Sequence, residues 1–268
     1  MAKGKARSFL LGIQGLIGHK QAPDWSFIYE ASTVKSPKFN VGDRVVLPDG
    51  REFRYALSSA ACVAGQGVEF HAAGVQAYTT MVVAAAIGDK EITVPAGTHV
   101  LQAKDALRGG YVVIWNPAGS NSLQFRGIIG NDVTAADVAF KIYLDGPLTE
   151  AVTTSSSVEL FSNPYVAVRT GTMNYFAKAG VPAREIAAAS TYFWVQTRGC
   201  CFAAPQGGKL GTTEGGYVGG WWSDYGNISD VATSLNGATV PVGRGTQNAG
   251  FAIQGDADNI GPMFMLQG

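Results

Sequence analysis

A mainly β fold with little helix is what this sequence predicts, and three observations predict it. Glycine stands at 35 of 268 positions, about twice its usual share, without the three-residue period of collagen. Short runs of Val, Ile, Thr and aromatic residues recur between clusters of Gly, Pro, Asn and Asp, the pattern of strands joined by turns. No segment supports a long helix. The expected architecture is an extended N-terminal arm over residues 1–40, followed by one or two β-sandwich or β-barrel-like domains. The first would span 41–150 and the second 151–268, with a glycine-rich loop over 206–220.

The arm is basic at its start and apolar after it. Lys3, Lys5, Arg7 and Lys20 occur without an acid before residue 24, and the run 9–18 is cut by Gly12, Gly15 and Gly18. Pro23 and Pro37 interrupt it further. The first element expected after the arm is a hairpin, 42–47 and 51–55, around Pro48-Asp49-Gly50. Proline presets the first corner, aspartate caps it and glycine takes positive φ. Further strands are expected at 68–71, 80–84, 91–94, 111–115, 123–129, 140–144, 157–161, 166–169, 192–196 and 250–253. Turn signals separate them, including Pro95-Ala96-Gly97, Arg108-Gly109-Gly110 and Gly130-Asn131-Asp132. One or two helical turns are expected over 181–189, where Pro182 precedes good helix formers, and a further turn over 103–107. The small, hydroxylic stretch 149–157 reads as the domain boundary.

Charge is balanced and sparse. Lys+Arg and Asp+Glu number 20 each, and charged residues make up 15 % of the chain, against ~25 % in typical soluble chains. From Ala151 to Gly268 there are six basic and seven acidic side chains. A surface so poor in charge opposes association weakly and suits a subunit covered by neighbours. Balanced charge predicts no specific nucleic-acid partner. The apolar part of the arm is too short to span a bilayer. Gln14, the three glycines and the missing small-x-small site argue against a secretory leader. Neither export nor a membrane partner is expected.

Residues that could carry chemistry are scattered. His19, His71 and His99 lie far apart and outside any ligand-spaced motif, so no metal site is expected. Cys62, Cys200 and Cys201 are odd in number, and an adjacent pair closes only a strained ring; reduced structural thiols are expected. Gly207-Gly208-Lys209 lacks the spacer and the Ser/Thr of a phosphate loop. Asp132 with Asp137, and Asp256 with Asp258, lack the alternating ligands of a calcium loop. The sequence therefore predicts no catalytic residue, no cofactor and no enzymatic activity.

Candidate contact residues are clearer. Arg7, Phe9, Leu10, Leu11, Ile13, Leu16, Ile17 and Lys20 form a basic, apolar strip, and each large apolar side chain left in water forgoes roughly 1.5 kcal/mol or more. Such a strip needs a partner surface. Trp221, Trp222 and Tyr225, beside the glycine-rich loop, read as aromatic interface anchors.

The segments 42–55, 141–148, Asn163-Pro164-Tyr165, 192–199 and 261–266 give the chain a resemblance to tailed-bacteriophage virion structural proteins, in the style of capsid decoration (cement) and other head-surface proteins. The resemblance covers most of 42–268 in texture and includes no signature motif. It implies a β-rich homo-oligomer, a trimer by preference, that binds the major capsid protein on the capsid surface after assembly in the host cytoplasm. Two alternatives accompany it. One is a shell-forming viral capsid protein. The other is a tail, baseplate or fibre component with a receptor- or glycan-binding tip.

Overall fold

The structure, a computed structural model, describes residues 24–71, 74–97, 99–117, 122–170, 177–204, 219–223, 226–229, 247–254 and 263–267. It is mainly β, with little helix and two open, curled sheets. The described residues fall into two compact units, one within Met1–His71 and Ala167–Gly268 and the other within Ala72–Val166. The stretch 149–157, expected as a boundary, lies inside the second unit. There the strand that follows it is hydrogen-bonded between two earlier strands of the same unit.

The first unit holds β1 (Arg44–Val46), β2 (Glu52–Leu57), β3 (Val68–Phe70), β10 (Val168–Thr170), β11 (Lys178–Pro182), β12 (Tyr192–Phe202), β13 (Gly219–Trp222), β14 (Ile228–Ser229), β15 (Asn248–Gln254) and β16 (Met263–Leu266). They form one sheet in the order β10-β3-β11-β12-β16-β15-β13-β14, with β2 also on β12 and β1 on β2. The expected hairpin is β1–β2. Gly50 takes φ +86 at its corner and donates its N–H to the Leu47 carbonyl at 3.0 Å. Strand β12 is the long axis of the sheet: β2 borders its first half and β16 its second.

Residues 24–40, expected as arm, belong to this unit. Ser26–Tyr29 form a 3₁₀ turn that buries Ile28 completely. Ser32 exchanges backbone hydrogen bonds with Tyr192 at 3.0 and 2.7 Å. Phe39 meets Trp194 edge-on at 4.9 Å between ring centres, and Phe27 does so at 5.7 Å. Burial of these rings outweighs the backbone entropy that proline and polar neighbours would otherwise favour.

The helix expected over 181–189 is absent. Strand β11 runs through Val181 and Pro182, which pair with Gln196 and Val195, and Ile186 bridges to Cys62. Val181 and Ile186 are 4 % and 2 % exposed, so tertiary burial overrides local helix propensity. Gly180 permits the approach: at φ +147, a Cβ there would stand 2.1 Å from the Gln196 carbonyl oxygen.

The second unit is a six-stranded antiparallel sheet in the order β4-β9-β6-β7-β8-β5. Its strands are β4 (Gly74–Thr80), β5 (Glu91–Val94), β6 (Tyr111–Asn116), β7 (Ser122–Asn131), β8 (Phe140–Leu144) and β9 (Ser157–Phe161). The strand expected at 80–84 instead ends at Thr80. The sheet curls around a core that includes Ile92, Val112, Ile114, Ile142, Val158 and Leu160. Two buried amides pin loops to it. Gln124 Oε1 accepts from the Thr149 N–H at 2.9 Å while its Nε2 donates to the Glu150 carbonyl. Asn131 Oδ1 accepts from the Leu107 N–H at 2.8 Å, closing the turn expected over 103–107.

Candidate functional site

Of the contact residues expected from sequence, Arg7, Phe9, Leu10, Leu11, Ile13, Leu16, Ile17, Lys20 and Tyr225 lie outside the described residues. Trp221 and Trp222 are described, and they do not form a shared surface. Alternation along β13 turns them to opposite faces. Trp222 is 5 % exposed and packs with Val181, Ile228 and Phe264 in the core of the first unit. Its ring lies where a Cβ on Gly67 would be, at 2.6 Å. Trp222 is a core residue, and only Trp221 is half-exposed.

The most distinctive surface is the outer face of β6, β7 and β9 in the second unit. Strand β6 reads Tyr-Val-Val-Ile-Trp-Asn, apolar at five successive positions. Val112 and Ile114 point into the core, fully buried. Tyr111, Val113 and Trp115 therefore point outward, where they meet a second apolar row. Across the ladder, Val113 faces Phe125 and Trp115 faces Leu123 on β7, while Tyr111 faces Phe161 on β9. Leu123 is 62 % exposed, Phe125 54 %, Tyr111 39 % and Phe161 37 %. Tyr111 and Phe125 stack diagonally, 5.1 Å between centres and 13° between planes, a cross-strand pair that fixes both rings. A strand apolar on both parities has two faces to bury, whereas one-sided antiparallel sheets alternate apolar with polar. The signal was present in the expected strands 111–115 and 123–129; it needed only to be read for both faces.

Two carboxylates meet this face: that of Asp145 lies where a Cβ on Gly127, opposite Tyr111, would project, and the other belongs to a strand position. Glu159 on β9 lies opposite Val113 and is half-buried. Among the outward positions of β6, β7 and β9 it is the single charged side chain.

Two grooves are lined by described residues of the first unit. One, of about 530 Å³, is lined by Tyr29, Arg51, Phe53, Cys201, Phe202 and Met263 among others. Arg51 is already committed there, donating from Nε to Asp49 at 2.7 Å. The other, of about 330 Å³, lies beside the cluster of Phe27, Phe39, Tyr55, Tyr192 and Trp194.

Groups with chemical potential are engaged in structure. All three cysteines are free thiols. Burial pushes Cys62 and Cys201 up to about 12, so neither is a thiolate at neutral pH. His99 is 2 % exposed, and its two ring nitrogens meet the carbonyls of Val100 and Val138 at 3.0 and 2.9 Å. Glu69, fully buried, receives Arg169 and Lys178 at 3.0 Å each. Among the described residues, no group of three or more His, Cys, Asp or Glu is placed to hold a metal ion. No helix among them is long and apolar enough to cross a membrane. Comparison with protein-family models, with curated proteins and with solved structures finds no match.

Proposed function

We propose that the protein is a non-enzymatic virion subunit of the capsid-decoration type, which binds a major capsid lattice from outside through apolar β-surface. The observation that carries this reading is the outward face of Tyr111, Val113, Trp115, Leu123, Phe125 and Phe161. Contiguous exposed apolar area on a sheet marks an interaction site. Aromatic anchors in a rigid ladder lose little side-chain entropy on contact. Low charge over the C-terminal half and the resemblance of segments 42–55 and 192–199 support the same reading. In it, the curled sheets are barrel-like domains, the subunit is a homo-oligomer with a trimer preferred, and the capsid surface is its location.

Mass spectrometry of purified virus-like particles from the source sample tests the proposal. The chain is expected in the particle fraction at a fixed ratio to the major capsid protein. Its absence from particles, with the chain found only in the free fraction, overturns it. Particles assembled with Leu123→Ser/Phe125→Ser are expected to carry fewer copies than particles assembled with the unchanged chain. Unchanged occupancy removes this face from the account.

A further inference from the structure

We infer that the outer face of β6, β7 and β9 takes a protein partner whose contact surface is apolar at its centre and carries two cationic side chains about 12 Å apart. The inference rests on the interaction-subunit reading above and names the partner's chemistry at that same surface.

Strand pairing fixes where the two acids stand. Glu159 on β9 lies opposite Val113 of β6. Gly127 on β7 lies opposite Tyr111 of β6, and Asp145 Oδ2 is 2.7 Å from the point a Cβ on Gly127 would occupy. Glu159 and Gly127 are therefore two strands and two residues apart. At ~4.8 Å between strands and ~3.3 Å per residue, that separation is about 12 Å. The line joining them crosses β6 between Tyr111 and Val113, so the ground between the acids is apolar. Neither carboxylate has a cationic partner among the described residues. Lys141, on the neighbouring strand β8, is held by Glu91. Arg126 lies opposite the buried Val112, and its guanidinium donates to the Pro147 carbonyl at 3.1 Å.

Any surface that covers this face strips water from both acids, and a desolvated carboxylate without a counter-charge is strongly unfavourable. A second copy of the same face fails on that ground. Two such faces meeting about a two-fold axis bring both pairs of carboxylates together, and their outward positions supply no cation. Nucleic acid and an anionic bilayer fail too, since each adds negative charge to a surface that is already negative. An apolar protein surface with two Lys or Arg side chains satisfies the aromatic centre and the acids together. Arginine suits the role better, because its planar fork matches a carboxylate. Cations four residues apart on one side of an extended segment stand ~13 Å apart, close to the spacing of the two acids.

The test uses the full-length chain and two synthetic peptides. The first carries two arginines four residues apart, leucine midway between them and two residues beyond each, and threonine elsewhere. The second has glutamine in place of both arginines. Fluorescence anisotropy is expected to show the arginine peptide binding roughly two- to twentyfold more tightly, the range of two partly exposed ion pairs. Added salt should shrink that preference, and Glu159→Gln with Asp145→Asn should abolish it. Both changes keep the side-chain shape, and circular dichroism checks that the fold is retained. Leu123→Ser with Phe125→Ser should weaken both peptides alike. Equal binding of the two peptides, no binding of either, or a preference that survives Glu159→Gln with Asp145→Asn overturns the inference. Its failure is distinct from failure of the virion-subunit reading, since occupancy on particles is read without the peptides. A chain found on particles that ignores the arginine peptide keeps its location and loses this partner.

Discussion

The Lys178 ammonium lies 3.0 Å from a Glu69 carboxylate oxygen, with the two side chains 3 % and 0 % exposed. Arg169 holds the other oxygen at 3.0 Å from a position nearer solvent. One buried anion thus pairs with two cations, and the two ends of the set respond differently to mutation. Glu69→Gln leaves a buried ammonium unpaired and is expected to cost about 3–5 kcal/mol. Lys178→Met leaves Glu69 paired with Arg169 and should cost less. Urea unfolding of both variants checks the order; an equal or reversed ranking rejects the assignment of Glu69 as the hub.

Trp194 organises the segment 24–40 through edge-on contacts with Phe27 and Phe39. Trp194→Ala is expected to lose roughly 3–5 kcal/mol. A double-mutant cycle of Phe39→Leu with Trp194→Leu should show a coupling of about 0.5–1.5 kcal/mol. Additive losses would mean that the rings pack near one another without a specific pair term.

The thiols give a pH prediction. Unfolded cysteines ionise near 9, whereas burial holds Cys62 and Cys201 protonated up to about 12. Between these values the unfolded chain binds fewer protons than the folded one, so stability falls as pH rises from 9 towards 12. Replacing both with alanine should flatten that decline. Alkylation of the native protein at pH 8 should be slow at both sites and become ordinary in denaturant. Rapid native modification of Cys62 would contradict its burial.

Gln124 is 4 % exposed and satisfies the Thr149 N–H and the Glu150 carbonyl together. Gln124→Ala removes both bonds, and because Thr149 is exposed and Glu150 half-buried the loss is expected at roughly 0.5–1.5 kcal/mol per bond. Amide exchange at Thr149 should accelerate while that of the β6 core amides falls only with global stability. Protection at Thr149 that survives the substitution rejects the clamp.

How far the sequence reveals this fold depends on where each residue's partners lie. Strands 91–94, 140–144 and 157–161 were legible to the residue, because their apolar pattern and flanking turns are local. The Pro48-Asp49-Gly50 hairpin was legible for the same reason. Strand β11 was not: Pro182, Ala183, Arg184 and Glu185 carry helix signals, and only burial of Val181 among Trp222, Ile228 and Phe264 decides otherwise. The expected role of Trp222 failed similarly, since its seat against Gly67 joins segments far apart in sequence. The outer face of the second unit was half-legible. Its strands were expected, but the exposure of Leu123 and Phe125 depends on which side of the sheet receives the core.

The pairing of β3 with β10 has a consequence for how the chain is put together. Phe70 lies opposite Val168, and the His71 N–H donates to the Ala167 carbonyl at 2.8 Å. The strands that lead into and out of Ala72–Val166 are thus hydrogen-bonded neighbours, closed like the stem of a hairpin. Topologically, the whole second unit occupies the position of one turn. A cassette of that kind can be lengthened, exchanged or replaced by a short glycine-bearing loop at a small closure entropy, while the ten-strand ladder keeps its register. The protein has the plan of a fixed frame with one replaceable module.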